Sequence, residues 1–225
     1  MHALATGPIR GIIFDLWNTL VYNEHHPNPI IAIAQAFGLL GSPEWTKRIE
    51  QGMMLRSMAG IEEGIASLSG SLGMSLEAGE AEELSRLWRD ACRQTRLFED
   101  VPGALERLSR KYRLGLLSNT HSFDLGFLEE GVLGSAFHAR LLSCDAGTLK
   151  PDPALFRRMA GLLQLNPADL LMVGDNLGDD VLGSEAVGMQ AVLIRRHEAP
   201  LSFQERHPDR VPLPTLLPLV KLLGA

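Results

Sequence analysis

One run near the start of the chain, Gly11-Ile12-Ile13-Phe14-Asp15-Leu16-Trp17-Asn18-Thr19-Leu20, constrains the fold more than any other feature. Its apolar, β-branched first part predicts a buried strand over Ile9–Asp15, which delivers a single carboxylate, Asp15, into the following loop. Open α/β sheets place their chemistry in such loops, beyond the carboxyl ends of parallel strands. Three further polar signals sit after predicted strands or in the loops between them: Ser118-Asn119 after Tyr112–Leu117, Lys150-Pro151 ahead of a helix, and Gly174-Asp175 after Leu170–Val173, followed by Asp179-Asp180. Each has an ordinary reading alone: a turn, a helix cap, a solvated lysine, an acidic first turn favoured by the helix dipole. As an ordered set they point to one site.

The pattern between these signals sets the domain organisation. After Asp100 helices and strands alternate: helix Ala104–Lys111, strand Tyr112–Leu117, helix Phe123–Glu130, strand Ala139–Ser143, helix Pro153–Leu163, strand Leu170–Val173, helix Asp179–Gly188 and strand Gln190–Ile194. Asp152 with Pro153 reads as a helix start. The tail Val211–Leu223 adds a strand or a helix. This alternation predicts an α/β fold: a Rossmann-like three-layer core with a parallel sheet and right-handed crossovers. Residues 21–97 differ in character. They carry helix-length patterns (Pro29–Leu39, Pro43–Ala59, Ile61–Leu72, Leu76–Arg96) and no convincing strand, so the expected division is a core of residues 1–20 and 98–225 with a small helical cap of residues 21–97. In the last of these patterns Leu84, Leu87, Trp88 and Ala91 make an apolar helix face.

Composition excludes several classes. With a net charge of −6 and no Lys/Arg cluster, nucleic acid is not an expected partner. The longest apolar run, Ile30–Leu40, is too short to cross a bilayer, and Met1–Pro8 has no signal-peptide pattern. A soluble cytoplasmic protein, monomer or homodimer, is expected. Cys92 and Cys144 match no metal-ligand spacing and read as buried thiols.

The four motifs, in this order over Ile9–Gly188, resemble those of the haloacid dehalogenase-like superfamily, mostly phosphatases and related phosphotransferases. The run Val173-Gly174-Asp175-Asn176-Leu177-Gly178-Asp179-Asp180-Val181-Leu182-Gly183-Ser184-Glu185-Ala186-Val187-Gly188-Met189 is similar to the fourth motif and following helix of the phosphatase-like members. The insertion after the first motif is similar to their all-helical cap. The resemblance implies a small phosphorylated substrate and Mg²⁺ held by Asp15, the backbone carbonyl of Trp17 and Asp175, with Asp180 (rather than Asp179) orienting metal waters or Lys150. It implies Asp15 as nucleophile, passing through an aspartyl phosphate, and Ser118, Asn119 and Lys150 as groups that bind the phosphoryl. Thr19 would steady the nucleophile loop. Physically, a divalent cation lets a carboxylate approach an anionic substrate that would otherwise repel it.

One expected residue is absent. Phosphatases of this family usually carry a second Asp two positions after the nucleophile, to protonate the leaving group and later activate water. This chain has Trp17 there, which can do neither; a well-placed acid or base is typically worth ~10²–10⁴ in rate. Three readings follow. The protein acts on phosphates with good leaving groups, with a narrower range than the usual phosphatase; or another group, His25, His26 or His121, supplies the proton; or the reaction is 2-haloacid dehalogenation, whose enzymes also place an aromatic residue there. Against the last, position 46 is Thr where a halide-binding Arg is wanted, and Gly174-Asp175 is the metal-binding form of the fourth motif. Phosphonate hydrolysis would need a cap lysine, but Lys47 reads as a solvated helix residue. A non-catalytic metal- or phosphate-binding module is the remaining alternative, and the intact Asp15, Lys150 and Asp175 argue against it. Mg²⁺-dependent phosphoryl hydrolysis leads.

Overall fold

In the computed structural model, which describes residues 8–196 and 211–225, the apolar run at the start of the chain becomes the central strand of a sheet. Of the expected core, residues 1–7 and 197–210 lie outside the described residues. The chain begins with β1 (Gly11–Phe14), β2 (Val21–Asn23), α1 (Pro29–Ala36), α2 (Trp45–Met53), α3 (Ile61–Leu72), α4 (Ala78–Cys92) and β3 (Thr95–Leu97). It continues with α5 (Val101–Ser109), β4 (Arg113–Ser118), α6 (Gly131–Ala136), β5 (Ala139–Leu142), α7 (Ser143–Ala146) and α8 (Pro153–Leu163). The last elements are β6 (Leu170–Gly174), α9 (Gly183–Glu185), β7 (Gln190–Leu193) and α10 (Leu217–Leu222).

Five strands form a parallel sheet in the order β5-β4-β1-β6-β7. Chain order reverses direction at β1, so a crevice opens above the carboxyl ends of β1 and β6, the switch point where such sheets bind ligands. Successive strand side chains point to opposite faces. Ile12 and Phe14 therefore pack with Leu105 and Leu108 of α5 and Leu219 of α10, while Ile13 packs with Phe156 and Met159 of α8. Helices cover both faces, which explains why the inner strands are apolar throughout rather than alternating. α8 starts as its sequence predicts: Asp152 accepts a hydrogen bond from the Ala154 amide at 2.8 Å, and Pro153 occupies the first turn.

Helices α1–α4 bury a separate cluster that includes Ile33, Phe37, Ile49, Met53, Leu68 and Trp88, joined by Phe123 from the core. The absence of strands expected between residues 21 and 97 is corrected: β2 and β3 pair antiparallel, Val21 with Leu97 and Asn23 with Thr95, forming a two-stranded ribbon where the chain leaves and re-enters the core. Three-residue strands are too short to leave a period-2 signal, and β3 merged with the helical pattern before it. The helix expected over Pro43–Ala59 covers only Trp45–Met53. Beyond it the backbone turns to meet the core, where the Met58 amide donates to Ser122 Oγ at 2.7 Å and Ser122 Oγ donates back to the Met58 carbonyl at 3.0 Å. The segment expected as a helix over Phe123–Glu130 forms only a 3₁₀ turn, Gly126–Glu129, before α6. The helix expected from Asp179 opens two residues earlier as a π-helical turn, Leu177–Leu182, capped by the Asn176 side chain. Cys144 is buried, as expected, but Cys92 is only half-buried; both are free thiols. Among the described residues no helix is long and apolar enough to cross a membrane.

Candidate active site

β1 and β6 are neighbours in register, Phe14 beside Val173, so the residues that follow them emerge at the same level of the sheet. Asp15 extends the ladder through its amide to the Val173 carbonyl at 2.9 Å. Asp175 follows β6, and the π-helical turn brings Asp180 back beneath it. One carboxylate oxygen from each of Asp15, Asp175 and Asp180 lies within 4.8 Å of the others. Lys150 Nζ reaches into this group and donates to Asp15 Oδ1 and to Asp180 Oδ1, both at 2.6 Å. Asp15, Lys150 and Asp180 are 6%, 3% and 1% exposed, so these ion pairs are largely shielded from water. The second oxygen of Asp180 accepts from the Asn176 amide at 3.0 Å. Gly174 is required by this packing, because a Cβ there would collide with the Asp180 carboxylate.

The cluster is electrostatically unbalanced. Burial, then the Asp180 charge, pushes the Asp15 carboxyl up to about 6 despite Lys150. Burial and the charges of Asp15 and Asp180 push Asp175 up to about 8. Burial works against the Lys150 ammonium, but Asp15 and Asp180 outweigh it and hold the lysine above its ordinary value. Three carboxylates around one ammonium leave an excess of negative charge in a poorly solvated site. An all-oxygen donor set of this kind fits a hard divalent cation such as Mg²⁺.

The neighbouring loop positions Lys150. The Asn119 side chain clamps its backbone, accepting from the Lys150 amide at 2.8 Å and donating to its carbonyl at 3.3 Å. Ser118 is buried at the end of β4, its hydroxyl 3.4 Å from the Asn119 carbonyl. Thr19 is also buried, and Arg196 donates to its carbonyl while pairing with Asp100; this fixes the far end of the loop that follows β1. Trp17 donates its indole N–H to Thr120 Oγ1 at 3.0 Å and packs edge-on against Phe127.

A cavity of about 420 Å³ lies over the cluster, and its lining includes Asp15, Asp175, Trp17, Trp45, Trp88 and Asn119. All three tryptophans of the chain are among its walls. The histidines expected as proton sources divide. His25 and His26 are not in the lining, and His25 Nδ1 instead lies 3.0 Å from the Pro27 carbonyl. His121 is in it, buried against Phe123, Trp88 and Trp17. Burial pushes its imidazole down to about 4, which leaves it neutral near pH 7.

Of two α2 residues at the site, one is misread from sequence and the other is missed. Lys47 is not simply solvated; Nζ bonds Asp179 Oδ1 at 3.0 Å and the Lys150 carbonyl at 3.4 Å, joining α2 to the core. Glu50, one turn further along α2, lines the cavity. A faint signal existed: Thr46, Ile49, Glu50 and Met53 follow i, i+3, i+4, i+7 spacing, so a carboxylate stands on the stripe that holds buried Ile49 and Met53.

Residues 9–188 match the profile of haloacid dehalogenase-like hydrolases. Among curated proteins, the chain is 29% identical over 249 residues to haloacid dehalogenase-like hydrolase domain-containing protein 3 of Homo sapiens, covering 96% of this chain and 93% of that protein. It is 33% identical over 115 residues to N-acylneuraminate-9-phosphatase of Rattus norvegicus, covering 50% of this chain and 46% of that protein, so the chain spans about half the length of that relative. In fold it resembles a phosphatase of Thermococcus onnurineus, with a TM-score of 0.63, 21% identity and coverage of 96% and 98% of the two chains. The sheet order, the buried acidic cluster and these similarities agree: the chain belongs to the haloacid dehalogenase-like hydrolase family.

Proposed function

We propose that this protein is a Mg²⁺-dependent phosphatase acting on a small phosphorylated molecule, with Asp15 as nucleophile. The observation that carries this reading is the convergence of Asp15, Asp175 and Asp180 on one point with Lys150 bonded to two of them. Asp15, Asp175 and the Trp17 carbonyl would hold Mg²⁺, and Asp180 would order its surroundings through Lys150. When bound, the ion supplies charge neutralisation for the carboxylate and the phosphoryl group.

The chain's own residues perform the remaining tasks. Asp15, whose carboxylate form is favoured by the Lys150 ammonium against the burial and negative charge that raise it, attacks phosphorus and forms an aspartyl phosphate, which water then hydrolyses. Lys150 holds the Asp15 carboxylate in place and faces the incoming phosphoryl charge. Asn119, just after β4, lines the cavity and acts first on Lys150 by clamping its backbone, whereas Ser118, expected to bind the phosphoryl group, is buried and is not part of the lining. Residues 21–97, the proposed cap, close the cavity from the other side and exclude water. Curated relatives named N-acylneuraminate-9-phosphatase and phosphoserine phosphatase support a phosphoryl substrate. Dehalogenation is disfavoured by the crowding of three carboxylates and by neutral Thr46 in the cavity wall.

The test is hydrolysis of p-nitrophenyl phosphate with Mg²⁺ and with chelator, with Asp15→Asn as the blank. Its leaving group needs no proton, so the absence of an acid at Trp17 does not mask the nucleophile. Mg²⁺-dependent turnover lost in the variant supports the reading; no turnover moves it to 2-haloacids or to a binding role.

A further inference from the structure

The phosphatase reading leaves one carboxyl group in the cavity without a task. Glu50 projects from the cap helix α2 into the lining that Asp15 and Asp175 share. It is half-buried, and its Oε2 is shielded from solvent with no hydrogen-bond partner. A buried polar atom left unpaired is costly, and a catalytic role or an ordered water or ion is among the reasons to keep one. The groups around it are Asp179 from the π-helical turn, Asn119 and Lys150 from core loops, and Lys47 from its own helix. Burial and Asp179 push the Glu50 carboxyl up to about 7, while Asn119, Lys47 and Lys150 offset only part of this. A group poised near neutral pH suits proton transfer in both directions.

The chemistry proposed above needs a proton for the leaving oxygen, and the other carboxyl and imidazole groups lining the cavity are either engaged or have no proton to give. Trp17 already donates its N–H to Thr120. His121 also has an unpartnered Nδ1, but burial among aromatic rings keeps its imidazole neutral near pH 7, so it is not the protonated acid the step needs. Asp124 accepts from the Trp88 indole at 3.0 Å, and Asp179 is paired with Lys47. Asp15 and Asp180 are tied to Lys150, and Asp175 belongs to the candidate cation site.

We propose that Glu50, from the cap, is the general acid and base of this site, filling the role that Trp17 leaves open. The inference rests on the phosphatase reading, and it replaces the expectation of a narrow leaving-group range. In the first step an Asp15 oxygen bonds to phosphorus and the bond from phosphorus to the leaving oxygen breaks. That oxygen takes the bond's electron pair and the Glu50 proton, leaving Glu50 as a carboxylate. Water then attacks the aspartyl phosphate from the side the leaving group vacated and gives its proton to Glu50. The bond from phosphorus to Asp15 breaks, releasing phosphate and restoring both carboxyl groups. Because Glu50 belongs to the cap, the acid is delivered only when cap and core meet.

The test uses aryl phosphates of similar shape but differing leaving-group basicity: p-nitrophenyl, phenyl and p-methoxyphenyl phosphate, compared by kcat/KM in wild type and Glu50→Gln. Wild type should show a shallow dependence on the leaving group. The variant should lose ~10²-fold on phenyl and p-methoxyphenyl phosphate while changing p-nitrophenyl phosphate by less than about threefold. An alkaline limb in the wild-type profile for phenyl phosphate should be absent from the variant. An equal loss on all three substrates, no loss on any, or a wild-type dependence as steep as the variant's overturns the role of Glu50. Absence of Asp15-dependent turnover even of p-nitrophenyl phosphate overturns the phosphatase reading itself, and the two failures are thereby distinguished. Retained p-nitrophenyl phosphate turnover also shows that the variant has folded.

Discussion

The two walls of the cavity are built differently. On the core wall, functional side chains grow from strand ends and are interlocked: Lys150 Nζ bonds two carboxylates, Asn119 holds both backbone groups of Lys150, and the Asn176 amide anchors Asp180. On the cap wall, they project from the side of a helix. Lys47 makes a half-exposed bridge to Asp179, and Glu50 keeps an oxygen with no partner. The difference separates two tasks. A preorganised, low-mobility wall serves a reaction step that stays the same, since transition-state charge is best met by groups already in place. A wall with unspent polar groups is the one able to meet a particular substrate.

This comparison is most directly tested by removing the proposed nucleophile. Asp15→Asn should lower kcat on p-nitrophenyl phosphate by ~10⁴-fold or more, as loss of a covalent nucleophile typically does. No cap substitution should approach that loss on this substrate, and one that did would break the division of labour.

Gly174→Ala tests the rigidity of the core wall without touching a charged group. Its methyl would displace the Asp180 carboxylate, and with it Lys150. A displacement of about 1 Å in a catalytic array can cost ~10²-fold in rate, and overpacking typically costs about 1–3 kcal/mol in stability. Thermal melting and the same phosphate assay would measure both. An unaffected variant would mean that the core wall tolerates movement after all.

The charge excess gives the core wall a pH signature. Both Asp15, at about 6, and Asp175, at about 8, lie above the ordinary carboxylate value of 3.8. Raised carboxyl values mean that the folded, metal-free protein binds more protons than the unfolded chain between roughly pH 4 and 8. Their contribution is therefore fully present below about pH 4 and is lost as pH rises through 6 and 8, a change on the order of a few kcal/mol. Melting temperatures in chelator should fall from pH 5 to pH 8.5, and Mg²⁺ should restore stability at the upper end. Asp175→Asn should lessen both the fall and the Mg²⁺ effect. A flat profile in chelator would contradict the electrostatic account of the cluster.

The smallest effect is expected from Lys47→Met. Its partner contact has side-chain exposures of 41% and 16%, and partly exposed ion pairs are typically worth ~0.2–1 kcal/mol. KM should rise no more than about fivefold, with kcat for p-nitrophenyl phosphate little changed. A large fall in kcat would make the cap bridge part of the core machinery.

The same division explains what could be read before the structure. Asp15, Ser118-Asn119 and Gly174-Asp175 were legible because each ends an apolar strand, and a strand buried on both faces forms a continuous run with a sharp polar boundary. The placement of Glu50 and Lys47 was not, because a helix side chain is placed by the rotation of its helix against the rest of the structure, and periodicity alone does not say what that face meets. The β2–β3 ribbon was missed for a related reason: three-residue strands exist through their pairing partner some seventy positions away, not through a local pattern.

Sequence alone therefore determined the alternation of strands and helices, the helical insertion and the four polar segments, since these are written in local hydrophobic pattern and order. Set beside the family it resembles, the sequence also shows Trp17 where a second Asp is usual, which needs only a position. The tertiary structure decided which charges share a burial environment, that Lys150 bridges Asp15 and Asp180, and that Glu50 of α2 lines the same cavity. Those facts depend on distance and desolvation, which arise only when segments far apart in the chain are packed together.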